Sequence, residues 1–283
     1  MAAPLMRRVK SHRVEIQLAV WPGQGRNVLC VHGLTANCRC WDTIAGALSP
    51  EHRVSAMDLR GRGLSGRPRS GYSIERHCRD IDGVMKGLGM EQVTLVGHSL
   101  GAIIALAFAA RFPQRVERLV LIDGGGKLTE EQATRVFAGI KPALDRLGHV
   151  FPSMEAYLGL LKAAPFLNPW SEAIEAYFRY EAEEVKRGVR SRVRPAHVRE
   201  ELINLREVDI AGLYPAVSCP TLILRATDGL LAADDILLPR EAADRMLREI
   251  PDARCVDVEG ANHYSIVFQP NARRDRELLA FLE

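Results

Sequence analysis

No stretch of the 283-residue sequence is apolar for long enough to cross a bilayer: the longest such run, around Ala102 to Ala110, ends in Arg111 and falls well short of the roughly 20 residues a spanning helix needs. The opening segment Met1 to Lys10 is short of apolar side chains, and no signal peptide is expected there. Nor is there an excess of one charge. Lys and Arg number 38 and Asp and Glu 35, for a formal net charge of +3, a near balance that gives no reason to expect nucleic acid or an anionic membrane as a partner. Arginine is locally dense from Arg187 to Arg199, but Glu200, Glu201 and Glu207 follow at once, and the stretch reads as a solvated helix face. Internal repeats, low-complexity tracts and CxxC pairs are missing. The six cysteines (Cys30, Cys38, Cys40, Cys78, Cys219 and Cys255) are scattered, and the one-residue spacing of Cys38 and Cys40 suits neither a redox motif nor half a zinc site. They are expected to be free thiols in a reducing cytoplasm, most of them buried as small hydrophobes. No cofactor and no metal are expected.

Hydrophobic residues make up 47% and charged residues 26%, the composition of a globular protein with a substantial core. Val14 to Val20 alternates apolar and polar residues, the period of a half-buried strand. From Val28 the texture changes. Short continuous apolar runs at Val28–Val31, His52–Met57, Val93–Val96 and Val116–Ile122 alternate with helical stretches at Trp41–Leu48, Ser73–Leu88 and Leu100–Phe112. Continuous apolar strands separated by helices imply a mostly parallel central sheet with helices on both faces, an α/β fold. The alternation stops between Thr129 and about Leu205, where the signals are helical or irregular and no Val/Ile/Leu strand is visible. It resumes with a strand at Thr221–Leu224, a helix at Arg240–Glu249, a strand at Ala253–Val258 and a last helix from about Asn271 to Leu282. The expected organisation is a core domain formed by 1–126 and 215–283, interrupted by a helical cap at 127–214, with breaks where Gly and Pro punctuate the chain.

Three segments carry chemistry. Gly97-His98-Ser99-Leu100-Gly101 stands directly after an apolar strand and directly before a helix, the two contexts that give G-x-S-x-G its meaning. Glycines are needed because side chains two residues from the serine would collide with neighbouring backbone at so sharp a turn. The turn lifts the Ser99 hydroxyl above the sheet and makes it the candidate nucleophile. His32-Gly33-Leu34 follows the strand ending at Val31. An attacked carbonyl needs two preplaced donors for its oxyanion, and the backbone N–H groups of Leu34 and Leu100 are placed for it. Asn262-His263-Tyr264 follows the last strand. His263 is the candidate base, because it alone of the eight histidines lies in a loop at the C-terminal edge of the sheet. His12, His52, His77, His149 and His197 fall on solvated or inserted segments, and the His98 side chain is expected to point away from the Ser99 hydroxyl. His32, Gly33, His98, Trp170 and Tyr264 are the candidate pocket residues.

Together these residues resemble the α/β-hydrolase family, in its serine-nucleophile branch with an inserted helical cap. The likeness covers nearly the whole chain and includes Asp58-Leu-Arg-Gly-Arg-Gly-Leu-Ser65, similar to the family's D-x-x-G-x-G-x-S turn, which shapes a loop and is assigned no chemistry. The resemblance implies an acyl-enzyme on Ser99, released by a water that His263 activates, and a carboxylate that orients His263. Asp228, after the strand Thr221–Leu224, is the commoner place for it, but its turn lacks the usual glycine and the segment up to Pro239 is longer than the family norm. Asp123, in Leu-Ile-Asp-Gly-Gly-Gly126, is the position some cap-bearing members use, and it is preferred here.

A serine at position 99 argues against the dehalogenases and epoxide hydrolases of this fold, which attack with aspartate. The leading expectation is hydrolysis of an ester or lactone of a small, mainly apolar carboxylic acid. Carbon–carbon bond or amide hydrolysis stays open, as does, from another class, a non-catalytic ligand receptor that keeps the triad. The expected partner is a small-molecule substrate; the oligomeric state is not readable.

Overall fold

Continuous apolar strands bury both faces, and the sheet of this protein does so between two separate cores. The computed structural model describes residues 3–283. Its main sheet has eight strands in the order β1-β2-β4-β3-β5-β6-β9-β10: β1 (Leu5–Ser11), β2 (Val14–Trp21), β3 (Asn27–Val31), β4 (Arg53–Met57), β5 (Val93–His98), β6 (Val116–Ile122), β9 (Thr221–Ala226) and β10 (Ala253–Val258). From β4 to β10 all neighbours are parallel, while β1 and β2 form an antiparallel hairpin whose second strand pairs with β4. Along each inner strand the side chains alternate between the cores. Leu29, Val31, Leu95, Leu119, Leu121 and Ile223 face one, and Val28, Cys30, Val96, Val120, Ile122 and Leu224 the other. Each such side chain, fully buried, stabilises the fold by about 1.5–3 kcal/mol.

The first core is closed by α2 (Ile74–Leu88), α3 (Leu100–Arg111) and α8 (Arg240–Glu249), the second by α1 (Asp42–Leu48), α9 (Ser265–Phe268) and α10 (Ala272–Leu282). Helix α2 shows how local signals set its ends. Ser73 caps its start by accepting from the Arg76 N–H. Gly89, at φ 67°, ends it in the left-handed conformation that a glycine adopts without strain. Helix α3 is apolar almost all round because it is packed on nearly every side.

Between β6 and β9 the chain forms α4 (Glu130–Asp145), α5 (Met154–Lys162), α6 (Glu172–Glu181) and α7 (Pro195–Arg206). The expectation of an all-helical or irregular stretch needs one correction. Strands β7 (Ala182–Val185) and β8 (Gly188–Ser191) form an antiparallel hairpin there. Glu183 and Arg190 face each other on its outward side, and Glu184 is exposed. Phe151 and Val189 extend it through reciprocal backbone hydrogen bonds of 2.7 and 2.8 Å. The arginine-rich stretch is therefore not a solvated helix face: Arg190 and Arg194 of this region, with Arg67, form ion pairs of 2.8–3.1 Å with Glu183. Helices α5 and α6 join the second core through Tyr157, Leu158, Leu161, Ile174, Tyr177 and Phe178. Tyr180 ties α6 to the sheet end by donating to the buried Asp58 carboxylate at 2.6 Å.

All six cysteines are free, and all but Cys255 are buried. No helix among the described residues is long and apolar enough to cross a membrane.

Candidate active site

The turn between β5 and α3 holds Ser99 at φ 57° and ψ −122°, a sparsely populated backbone conformation that costs of order 1–3 kcal/mol and persists only where surrounding structure enforces it. The enforcement is visible. The Ser99 N–H donates to the Ile122 carbonyl at 3.1 Å. A Cβ on Gly97 would lie 2.2 Å from the Gly101 carbonyl oxygen, one on Gly101 2.0 Å from that of Val31, and one on Gly124 2.6 Å from that of Ser99 itself. Only glycine lets these backbones approach so closely. Ser99 makes no side-chain cap to α3, which leaves its hydroxyl uncommitted. The N–H of Leu100, at the first turn of α3, has no acceptor within the helix.

The loop after β3 runs close over this turn. A Cβ on Gly33 would stand 3.1 Å from the Cβ of Ser99 and 3.5 Å from its Oγ. Leu34 follows: its carbonyl accepts from Nε of Arg62 at 2.9 Å, and the Gly33 carbonyl, which shares a peptide plane with the Leu34 N–H, accepts from the Ala36 N–H at 3.2 Å.

Beyond β10, His263 faces Asp123. Nδ1 of His263 lies 2.7 Å from Oδ2 of Asp123, with both side chains buried. Oδ1 of Asp123 accepts from the Ala226 N–H at 3.2 Å. With Nδ1 engaged, Nε2 is the ring nitrogen left for a reacting group. His98 packs under the pair: its ring lies 4.4 Å from that of His263, and its Nε2 donates to the His263 carbonyl at 3.0 Å. Burial, reinforced by the neighbouring His263, holds His98 well below the usual histidine range and so neutral. Asp228, the other candidate acid, is exposed. Its carboxylate accepts from the Thr227 hydroxyl at 3.0 Å, and the ion pair of His263 is with Asp123 instead.

Ser99, Asp123 and His263 all border one cavity of about 530 Å³, together with Gly33, Leu34, His98, Leu100 and Tyr264. Two candidate pocket residues do not reach it. His32 is fully buried behind the loop, where Nδ1 meets the Gly33 carbonyl at 2.8 Å and Nε2 accepts from the Leu59 N–H at 2.9 Å. Burial pushes its pKa down to about 3, so it shapes the loop as a neutral ring. Trp170 instead stacks on Phe178, 5.9 Å between centroids, and donates to Glu175 at 3.3 Å. The remaining wall comes from helices that gave no chemical signal. Ala133, Val136, Phe137, Ile140, Ala143 and Leu144 of α4 line it, as do Leu202 and Leu205 of α7. Their spacing in α4 is that of one helix face, the one sequence signal by which that wall could have been found.

A family description for the alpha/beta hydrolase fold matches residues 26–270. The chain belongs to that family. The hydrolase is 31% identical over 260 residues to 2-(acetamidomethylene)succinate hydrolase of Mesorhizobium japonicum, covering 92% of this chain and 89% of that protein. It is also 31% identical over 264 residues to a putative carbamate hydrolase, RutD, of Variovorax paradoxus, covering 92% and 93%. The crystal structure of an E-2-(acetamidomethylene)succinate hydrolase superposes on it with a TM-score of 0.83 at 27% identity, over 99% of each chain. The relatives share hydrolysis but not one kind of bond.

Proposed function

We propose that this hydrolase cleaves an ester or lactone of a mainly apolar carboxylic acid through an acyl-enzyme on Ser99. The observation that carries the reading is the pairing of His263 with Asp123 at 2.7 Å on the rim of a cavity that also exposes Ser99. In this scheme His263 Nε2 takes the Ser99 proton as Oγ attacks the carbonyl. Asp123 holds the Nδ1–H tautomer and stabilises the imidazolium. The N–H groups of Leu34 and Leu100 receive the oxyanion. The alcohol leaves with the proton from His263, and a water activated by the same nitrogen attacks the acyl group and frees Ser99.

The cavity wall supports an apolar acyl group. Apart from the polar residues beside Ser99, its lining is mostly Leu, Ile, Val, Ala and Phe, and the one Lys or Arg among the described lining residues is Arg206, exposed at the end of α7. A dicarboxylate such as the named substrate of the Mesorhizobium relative would have only Arg206 in that otherwise apolar wall to meet a second charge. Residues 127–214 act in this reading as a cap, since α4 and α7 form the wall opposite Ser99. A second reading, cleavage of an amide or carbamate bond, draws its support from the names of the two relatives.

The test is a panel of p-nitrophenyl esters from acetate to decanoate beside 2-(acetamidomethylene)succinate and simple carbamates, run with wild type and Ser99→Ala. The expected result is turnover of the four- to ten-carbon esters, and loss of kcat by about 10³ to 10⁶ in Ser99→Ala. A fluorophosphonate should label Ser99 and no other serine. Turnover of the amide or carbamate alone would favour the second reading. An unlabelled Ser99 would reject the mechanism.

A further inference from the structure

The turn after β4 and the helix α7 meet behind the oxyanion loop, at a cluster of charge with no access to solvent. Arg62, Glu201 and His77 have side-chain exposures of 0%, 1% and 0%. Arg62 sits between Gly61 and Gly63, both at positive φ. A Cβ on Gly63 would fall 2.1 Å from the Asp58 carboxylate, and one on Gly61 2.6 Å from the Tyr72 ring. The Arg62 backbone is thus held from both sides. Its guanidinium spends three nitrogens on three different parts of the fold. Nε donates to the Leu34 carbonyl at 2.9 Å, Nη1 to the Arg60 carbonyl at 3.2 Å, and Nη2 pairs with Glu201 at 3.0 Å. Glu201 is shared, because His77 Nε2 lies 2.9 Å from both of its oxygens. Burial works against the Glu201 carboxylate, but His77 and Arg62 outweigh it and hold its pKa down to about 2. The next residue, Leu202, borders the cavity and packs with Leu34 against the cluster of Leu147, Val193 and Val198.

We propose that Arg62 and Glu201 are positioning residues for catalysis: the Glu201–Arg62 pair anchors the Leu34 carbonyl and with it the Leu34 Cα, the pivot that carries the N–H facing the oxyanion, making the seating of α7 a condition for a formed oxyanion hole. The proposal rests on the reading of Ser99 as nucleophile and Leu34 as donor. The physical reason is geometric. The Leu34 N–H shares a peptide plane with the Gly33 carbonyl, which His32 Nδ1 and the Ala36 N–H meet at 2.8 and 3.2 Å, and Arg62 holds the next plane, so the Leu34 Cα between them is fixed from both sides. The Leu34 carbonyl is gripped by a guanidinium that cannot rotate without breaking its bond to Arg60 and its pair with Glu201. An exposed α7 surface would not need an acid there. A carboxylate taken out of water is costly unless it is paired, and here its arginine partner also holds the loop that borders Ser99. His77 meets both Glu201 oxygens and is not part of the cavity lining.

The test uses the intact protein with p-nitrophenyl hexanoate, hexylboronic acid and a fluorophosphonate. Hexylboronic acid accepts the Ser99 oxygen at boron and presents a tetrahedral oxygen to the hole, whereas KM for the ester reads the ground state. Arg62→Lys and Glu201→Gln are each expected to lower kcat by about 10- to 100-fold, below the 10²- to 10³-fold cost of losing an oxyanion donor outright. KM should stay within about threefold of wild type, while the affinity for hexylboronic acid falls in step with kcat. Arg62→Lys keeps a buried cation for Glu201 and gives up the Nε bond to Leu34 and the Nη1 bond to Arg60, so it preserves the charge balance if Glu201→Gln fails to fold. Wild-type kcat and boronate affinity in Arg62→Lys would overturn the proposal. So would a rise in KM as large as the fall in kcat, the sign of a deformed pocket rather than a misaimed donor. Fluorophosphonate labelling separates the two levels: if wild-type Ser99 is not labelled, the nucleophile reading fails, and if it is labelled and Arg62→Lys labels equally fast, only the positioning role fails.

Discussion

Asp123 spans two strands' ends, with Oδ2 2.7 Å from Nδ1 of His263 and Oδ1 3.2 Å from the Ala226 N–H. It therefore meets the imidazole in a fixed orientation rather than as a freely rotating carboxyl. Replacing it by Asn offers Nδ1 either an amide that cannot accept its hydrogen or, after a flip, an unpaired NH2 toward Ala226. Asp123→Asn is expected to lower kcat by about 10² to 10⁴. Asp228 is exposed and engaged with Thr227, so Asp228→Asn should cost less than about tenfold, the equivalent of 1.4 kcal/mol. Comparing the two variants on one ester, after checking that each is folded, decides the assignment; a crippled Asp228→Asn with an intact Asp123→Asn would reverse it.

Gly33 has an ordinary backbone conformation, so its requirement is one of space. An added methyl would sit 3.1 Å from the Ser99 Cβ and 3.6 Å from Nδ1 of His98. A few tenths of an ångström of movement relieves that contact, and the movement falls on the nucleophile. Gly33→Ala should fold with less than about 2 kcal/mol lost. Its kcat and its rate of fluorophosphonate labelling should each fall by about tenfold or more. Full labelling speed in the variant would show that Ser99 tolerates displacement.

Acid stability follows from two histidines buried as neutral rings. His32 is pushed down to about 3 and His98 well below the usual range, in each case mainly by burial. Unfolded, both take a proton near pH 6.5. Between about pH 6.5 and 3 the unfolded chain therefore binds more protons than the folded one, and stability rises with pH across that window. The stabilisation is complete above pH 6.5 and is lost on acidification, at up to about 1.4 kcal/mol per pH unit for each ring. Urea midpoints at pH 7.5, 6.5, 5.5 and 4.5 should fall progressively below the first two; a flat series would contradict the neutral assignment.

Arg146 and Glu181 form a buried pair at 2.6 Å, with the Tyr157 hydroxyl 2.9 Å from Arg146 and Ser191 donating to the same carboxylate. This pair joins α4's end to α6 and the β7–β8 hairpin. Arg146→Met strands the Glu181 charge in the interior and should cost about 3–5 kcal/mol of unfolding free energy, read by chemical denaturation. A loss below 1 kcal/mol would mean that water reaches Glu181.

The parallel strands were legible because burial on both faces makes them continuous apolar runs, and Val116–Ile122 and Ala253–Val258 stand where expected. The β7–β8 hairpin was not, since its segments Ala-Glu-Glu-Val and Gly-Val-Arg-Ser owe their pairing to backbone bonds and to ion pairs with Glu183. His77 looked like a solvated residue because its partner, Glu201, lies 124 residues away in the chain. Spacing alone likewise left Asp123 and Asp228 open. Both end strands at the same sheet edge, and the choice depends on where the loop after β10 delivers His263.

The first strand of the sheet has one consequence for life in a crowded solution. β1 is the outermost strand, and Leu5, Met6, Arg7, Arg8 and Lys10 are exposed along it. A bare strand edge offers its free amides and carbonyls to any like strand that drifts past, which is how soluble chains begin to stack into insoluble ribbons. Two molecules meeting here would bring three cations against three, in register with the groups that must pair. The repulsion acts before the backbones touch, so the molecule guards its own edge against copies of itself.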